Sequence, residues 1–363
     1  MLTNKRSERR EQIVDLTERK LKILHAIVAD FIHSAEPVGS RTLSKKYDLG
    51  ISPATIRNEM SDLEEMGYLT HPHTSAGRVP SDKAYRLYVN DLMGRYELPD
   101  EEKRIISENI QSNMMELENT IEHAAELLSK LTNLTSFAIT PRQDTNKLKY
   151  INLLPVDDTT IVLMIVAEDG KVINKALRIN VPYTMENLDL LAKAMTQTYR
   201  GRTISDVLTL DIIKYFENDI EAMSRLAESI MPNFMKTLEN MLNVDLYMEG
   251  LTNIFSIPEY NDIDRARTFL EMVNRKKDFT DVLVNRDNGV IITIGNENSD
   301  EIMRDCSLIT ADYRINGKLV GKLGVIGPTR MKYDEVTSVI KFMTDNLSSA
   351  FQITTEGELE EDE

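Results

Sequence analysis

The stretch ISPATIRNEMSDLEEMGYL (Ile51–Leu69) decides how this chain is read. Its spacing predicts one short helix with a defined start and stop. Ser52 is an N-cap residue, Pro53 suits the first helical position, where its missing N–H leaves no bond unmade, and Gly67 suits a left-handed stop. Ile56, Met60, Leu63 and Met66 recur at i, i+4, i+7 and i+10 and form one apolar face. The opposite face carries Ala54, Arg57, Asn58, Ser61 and Glu65. Its front is small, basic or amide-bearing, and an acid comes only at the far end. A helix that enters the DNA major groove by its N-terminus needs this polarity, with base-reading groups first and carboxylates held away from phosphate. Taken alone, the segment fits an ordinary amphipathic surface helix equally well.

The flanks shift that balance. Leu21, Leu24, Ile27, Val28, Phe31 and Ile32 form a helical apolar stripe that ends near Glu36 and Pro37. Gly39 and Ser40 make a turn and cap, RTLSKKY (Arg41–Tyr47) a helix of barely two turns, and DLG (Asp48–Gly50) a short turn. Helix, short helix, tight turn and recognition-type helix is the helix-turn-helix order. Downstream, Tyr68–His71 and Arg78–Pro80 read as two strands around a small polar loop, together a wing whose amides and hydroxyls suit phosphate. A helix from Ser81 to Met93 closes the unit.

Charge divides the chain in the same place. Residues 1–95 hold 15 Lys and Arg against 13 Asp and Glu, and residues 96–363 hold 28 against 46. The whole chain carries a formal charge of −16. An acidic protein does not coat DNA indiscriminately, so the non-acidic region has to bind by directed contacts. His25, His33, His71 and His73 are too scattered for a zinc set, and no cysteine supports them.

Three motifs carry a resemblance. EPVGSRTL (Glu36–Leu43), SPATIRNEM (Ser52–Met60) and PHTSAGRVP (Pro72–Pro80) resemble the heat-inducible transcription repressors of the HrcA family. The resemblance is dense over residues 18–93 and recurs at VGKLGVIGPTRMKY (Val320–Tyr333). It implies a cytoplasmic repressor that binds an inverted-repeat operator of chaperone operons as a homodimer. It also implies activity that depends on the chaperonin, and so on the load of unfolded protein. Composition and spacing show none of this control loop.

The remainder reads as α+β. A polar break at Gly94–Glu102 suggests a linker. Ile106, Ile110, Met114, Leu117, Ile121, Leu128 and Leu131 predict one long amphipathic helix, better suited to covering a sheet of its own domain than to a coiled coil. Strands are expected at 136–139, 148–154, 160–166 and 172–179, with a hairpin turn at Asp169 and Gly170. Helices follow at 185–199, 207–216, 219–242 and 261–274. Strands return at 290–294, 307–313 and 318–326, with Asn316 and Gly317 as a second hairpin turn, and a helix closes at 334–351. Strands, a helical block, then strands again suggest one sheet domain interrupted by an insertion. This resembles the family's GAF-like domain with its inserted dimerisation domain.

The expected domains are therefore a winged helix at 1–95, with 1–17 an extra arm carrying Lys5, Arg6, Arg9 and Arg10; a GAF-like antiparallel-sheet domain at 103–185 and 281–352; a mainly helical inserted dimerisation domain at 186–280; and an acidic disordered tail at 353–363. Ala54, Arg57, Asn58 and Ser61 are the candidate base contacts. Arg41, Thr42, Lys45, Ser52, Thr55, His73, Thr74, Ser75 and Arg78 are the candidate backbone contacts. Gly321, Gly324 and Gly327 lack the ending of a phosphate loop and follow a hairpin, so they read as close-packing residues without a nucleotide. One cysteine, Cys306, allows no internal disulfide and fits a reducing compartment. No membrane span, metal site, cofactor or catalytic constellation is read, so an enzyme is not expected. Two other readings stay open: a metabolite-sensing regulator that uses the GAF-like domain, and an interaction protein whose winged helix binds protein.

Overall fold

The computed structural model describes residues 16–71, 77–112, 117–140, 147–168, 170–209, 221–241, 244–315 and 318–360. Residues 1–15 of the arm, the loop at 72–76, Asp169 of the first predicted hairpin turn and both residues of the second (Asn316 and Gly317) lie outside them. The chain is α+β, and among the described residues every strand pairing is antiparallel. Its contacts divide it into two compact units: residues 1–141 with 246–363, and residues 142–245.

The first unit opens with helices α1 (Glu18–Ser34), α2 (Ser40–Lys46) and α3 (Pro53–Glu65) and a ribbon of β1 (Leu69–Thr70) and β2 (Val79–Pro80). Helix α4 (Asp82–Leu87), prolonged by a wider turn to Leu92, follows. The expected stripe on α1 is buried at Leu24, Ile27, Val28 and Ile32, with Leu21 and Phe31 packed at its margin. Helices α5 (Asp100–Ser112) and α6 (Leu117–Thr132) cover the range read as one long helix. The segment read as a linker has no helix or strand from Gly94 to Pro99, yet it is not free. Leu98 is buried, and Ser338 Oγ donates to the Tyr96 carbonyl (2.9 Å).

A five-stranded sheet follows in the order β7-β3-β10-β9-β8, built from β3 (Thr135–Ile139), β7 (Leu246–Glu249), β8 (Ile291–Ile294), β9 (Cys306–Ile315) and β10 (Lys318–Pro328). Alternation along the central strands gives the sheet two buried faces. One carries Leu323, Val325, Ile309, Ala311 and Tyr313 and shares a core with α1, α3, α6 and the closing helix α12 (Tyr333–Glu360). The other carries Phe137, which meets Phe279 edge-on (5.3 Å). Phe279 lies on α11 (Lys276–Val284), which follows α10 (Ile263–Asn274). A Cβ at Gly324 would lie 2.3 Å from the Ile309 carbonyl oxygen and 2.6 Å from the Phe137 ring, so close strand packing is the reason for that glycine.

The second unit holds its own three-stranded sheet of β4 (Leu148–Asp157), β5 (Thr160–Ala167) and β6 (Val172–Arg178). Helices α7 (Met185–Tyr199), α8 (Ile204–Leu208) and α9 (Glu221–Met241) complete it. Ile151, Leu163 and Ile165 share one core with Leu191, Met195, Ile230 and Phe234. Two expectations are corrected here. The embedded unit is 142–245 and not 186–280, because strands 148–178 bury their apolar face against the helices that follow them. Residues 246–280 belong to the first unit, where β7, missed in the sequence, adds to β3. The acidic tail is corrected as well, since α12 runs on to Glu360; the Glu-rich stretch has no proline, and glutamate and leucine suit a helix.

Cys306 is buried at the start of β9, and burial pushes its thiol up to about 12. The native protein at pH 8 is therefore expected to leave this thiol unlabelled by DTNB, whereas denatured protein reacts at once. Native labelling at the rate of a free thiol would contradict the packing of β9.

Candidate nucleic-acid interface

Helix α3 begins and ends where its sequence says it should. Ser52 is the N-cap, with Oγ accepting from Thr55 N (3.1 Å), and Gly67 takes a left-handed φ of +78°. Ile56, Met60 and Leu63 are buried, which turns Ala54, Arg57, Asn58, Ser61 and Glu65 outward together. Arg41, Thr42, Lys45 and Ser52 are exposed and Thr55 is half-exposed. His73, Thr74 and Ser75 lie outside the described residues.

The charges of α3 are sorted by their partners. Lys20 Nζ on α1 donates to Glu59 Oε2 and Asp62 Oδ2 (2.7 Å each), and Arg19 Nε lies 2.9 Å from Glu59 Oε1. Hydrogen bonds from Lys20 to Asp62 and Glu59 raise its pKa above the ordinary lysine value. Arg78 Nε donates to Glu64 Oε2 (2.8 Å). Of the four carboxylates on α3, only Glu65 at the far end has no partner among the described residues. Arg57 and Asn58 likewise have none among them. The helix thus presents an unneutralised cation and a free amide at its front, while its acids are spent on holding it to α1 and to the ribbon. The front of the exposed face carries positive charge in a chain of net −16, with Glu65, the one acid unpaired among the described residues of this helix, at the far end.

Arg78, which the sequence places among the backbone contacts of the wing, is tied within the fold: its guanidinium is partly buried between Glu64 and His71, to whose Nε2 it donates from Nη1 (3.0 Å). Its geometry staples the ribbon to α3. Val38 and Arg78 also exchange both backbone hydrogen bonds (2.9 and 3.0 Å), so the residues after α1 add a third short stretch to the ribbon. A Cβ at Gly77 would lie 2.6 Å from the Pro37 backbone. That approach and the Val38–Arg78 bridge bring the segment after α1 onto the ribbon, a link that spacing alone does not reveal. Lys83, absent from the sequence reading, lies over the Tyr68 ring (4.2 Å) and donates to the Met66 carbonyl (3.0 Å), closing the C-terminal end of α3. Among the described residues there is no cluster of three or more His, Cys, Asp or Glu able to hold a metal ion, and no helix long and apolar enough to cross a membrane.

Residues 118–337 match the family model described as the HrcA protein C-terminal domain. The chain is 41% identical over 336 residues to a heat-inducible transcription repressor HrcA of Clostridioides difficile, covering 91% of this chain and 98% of that protein. It is 38% identical over 345 residues to the protein of the same name from Pelotomaculum thermopropionicum, covering 94% and 99%. A crystal structure described as that of a hypothetical protein superposes with a TM-score of 0.60 at 23% identity, over 94% of this chain and all of that one, a likeness of fold alone.

Replacing Gly77 with alanine should push the ribbon off Pro37 and cost about 1–3 kcal/mol of stability, the usual range for overpacking. Urea unfolding followed by circular dichroism measures this; an unchanged midpoint would mean that the ribbon does not need the close approach.

Proposed function

This chain belongs to the heat-inducible transcription repressor HrcA family, and we propose that it is a cytoplasmic, dimeric repressor that binds an inverted-repeat operator of chaperone operons through a winged helix. The observation that carries the DNA-binding part is the charge sorting on α3: Arg57 and Asn58 stand free at its exposed front while Glu59, Asp62 and Glu64 are neutralised within the fold. In this reading α3 enters the major groove. Arg57 takes the edge of a guanine, Asn58 that of an adenine, Ala54 meets a thymine methyl and Ser61 completes the base-facing row. Arg41, Thr42, Lys45, Ser52 and Thr55 hold the backbone beside it, as do His73, Thr74 and Ser75 of the wing loop. Arg78 serves the contact set by keeping the ribbon on α3.

Dimerisation follows from size. One small helical head buries too little DNA to be specific, so two copies must read two half-sites. The embedded unit at 142–245 is our candidate for the dimerisation domain and the five-stranded sheet for the GAF-like domain. Chaperonin dependence is carried over from the family resemblance, and no residue here encodes it legibly. The alternative of a metabolite-sensing GAF-like domain has less support. The sheet face away from the shared core is filled by the chain itself: Phe279 lies on Phe137, and Arg286 donates to Thr310 Oγ1 (3.1 Å) and Thr293 Oγ1 (3.0 Å).

Fluorescence anisotropy with an operator duplex and a scrambled duplex, each across a salt series, tests the reading. Arg57→Ala should weaken operator binding by roughly 1–3 kcal/mol and scrambled-duplex binding by less. Equal losses on both would demote Arg57 to a phosphate contact, and no salt-sensitive binding to either by the native protein would overturn the DNA-binding reading.

A further inference from the structure

Three sets of polar contacts join the DNA-reading end of the first unit to its sheet, and none involves the face of α3. Arg330, just after β10, donates from Nη1 to the carbonyl of Ile32 at the end of α1 (2.7 Å), and its other nitrogens grip Glu259. Arg86 on α4 donates to Glu297 through Nε (2.6 Å) and Nη2, and through Nη2 to the Ile292 carbonyl on β8 (2.7 Å). Asp82 on α4 accepts from Asn296 N (3.0 Å) and Nδ2 (2.9 Å). Between these ties the buried rings of Tyr85 and Tyr333 lie 6.0 Å apart. The turn at Gly295 is shaped for this contact, since a Cβ there would stand 2.1 Å from the Asp82 carboxylate.

We propose that Asp82, Arg86 and Arg330, with Glu259 and Glu297, are positioning residues of the repressor: they clamp the DNA-reading head to the sheet, so that α3 is offered to DNA in one orientation. The inference rests on the repressor reading above. Apolar burial holds the head against the sheet without fixing its angle, because such burial is non-directional. Half-sites one DNA turn apart lie roughly 34 Å from each other, so a small change of angle at each head shifts the separation the pair can read. A repressor with loose heads would accept half-sites at many separations and would pay the entropy of ordering both on binding. A clamped one binds a single separation and helical phase. The ties are ion pairs and hydrogen bonds at partly exposed side chains, so the clamp adds geometry more than stability.

The test compares the full-length protein with Glu259→Ala/Glu297→Ala and, separately, with Gly295→Ala. The first variant removes two negative charges, so electrostatics alone would strengthen DNA binding; the second changes no charge, displaces Asp82 and strains the turn at its left-handed φ of +53°. Circular dichroism and light scattering establish that each variant is folded and in the native assembly. Anisotropy is then measured on the intact inverted repeat, on repeats with the half-sites moved apart by two and by five base pairs, and on a single half-site. The native protein should lose about tenfold or more in affinity on the altered spacings. Each variant should bind the half-site as the native protein does, bind the intact repeat about tenfold more weakly, and respond little to spacing. A native spacing profile in both variants, or an equal loss on half-site and repeat, would overturn the clamp. A native protein that binds no duplex would overturn the repressor reading itself, and the clamp with it.

Discussion

Burial of one stripe on α12 is the constraint on which the first unit depends. Tyr333, Val336, Ile340, Met343 and Leu347 recur at helical spacing and are all buried. They lie in the core shared by the sheet face of Leu323, Val325 and Ile309 and by the buried side of α1 and α3. The first residue of the stripe does the joining. Tyr333 shares a hydrogen bond with Ser307 on β9 (2.6 Å), donates to the Thr329 carbonyl (2.5 Å) and lies beside Tyr85 of α4. Apolar burial is non-directional, so it collects these elements without setting their angles. The directional contacts around it, from Arg86, Asp82 and Arg330, supply the orientation.

The charges of α3 are arranged so that an acidic protein presents a cation at the exposed front of this helix. The protein's net charge of −16 repels polyanions at long range. The helix instead uses three of its own acids as anchors, each facing a cation of α1 or of the ribbon. Neutralising them within the fold requires no additional lysine on the exposed side. In the proposed complex, binding would gain more from matched hydrogen bonds than from bulk attraction.

Buried polar groups mark the face of the sheet turned away from the shared core. Lys322 and Asp312 form a buried pair at 2.7 Å, with the Asp287 carbonyl and the Gly289 amide completing its hydrogen bonds. Arg286 has no carboxylate within hydrogen-bonding reach among the described residues. Its guanidinium is held by two threonine hydroxyls and two carbonyls, and burial depresses it to about 10. Such groups add little net stability, but leaving any of them unpaired is costly. They therefore reward one register of β8, β9 and β10 over its neighbours.

Local physics was legible in the chain. The cap at Ser52, the stop at Gly67, the apolar rows of α1 and α3 and most strands follow from short-range sterics and periodicity, and the structure has them where the residues predict. The outward row of Ala54, Arg57, Asn58 and Ser61 follows from the same arithmetic. What stayed hidden depends on which distant residues meet. Arg78 reads as a free cation until Glu64 and His71 are beside it, and Gly77 as a loop glycine until Pro37 lies against it. The true edges of the embedded unit were missed because an apolar strand looks the same whichever sheet it joins; only pairing sent 148–178 to their own sheet and 246–249 to β3. The sequence by itself thus determined the elements and the face that α3 turns to solvent, because both are set within a few residues. Tertiary structure alone decided the partners of the charges and the clamp on the head, because pairs such as Arg86 with Glu297 lie 211 residues apart and share no local signal.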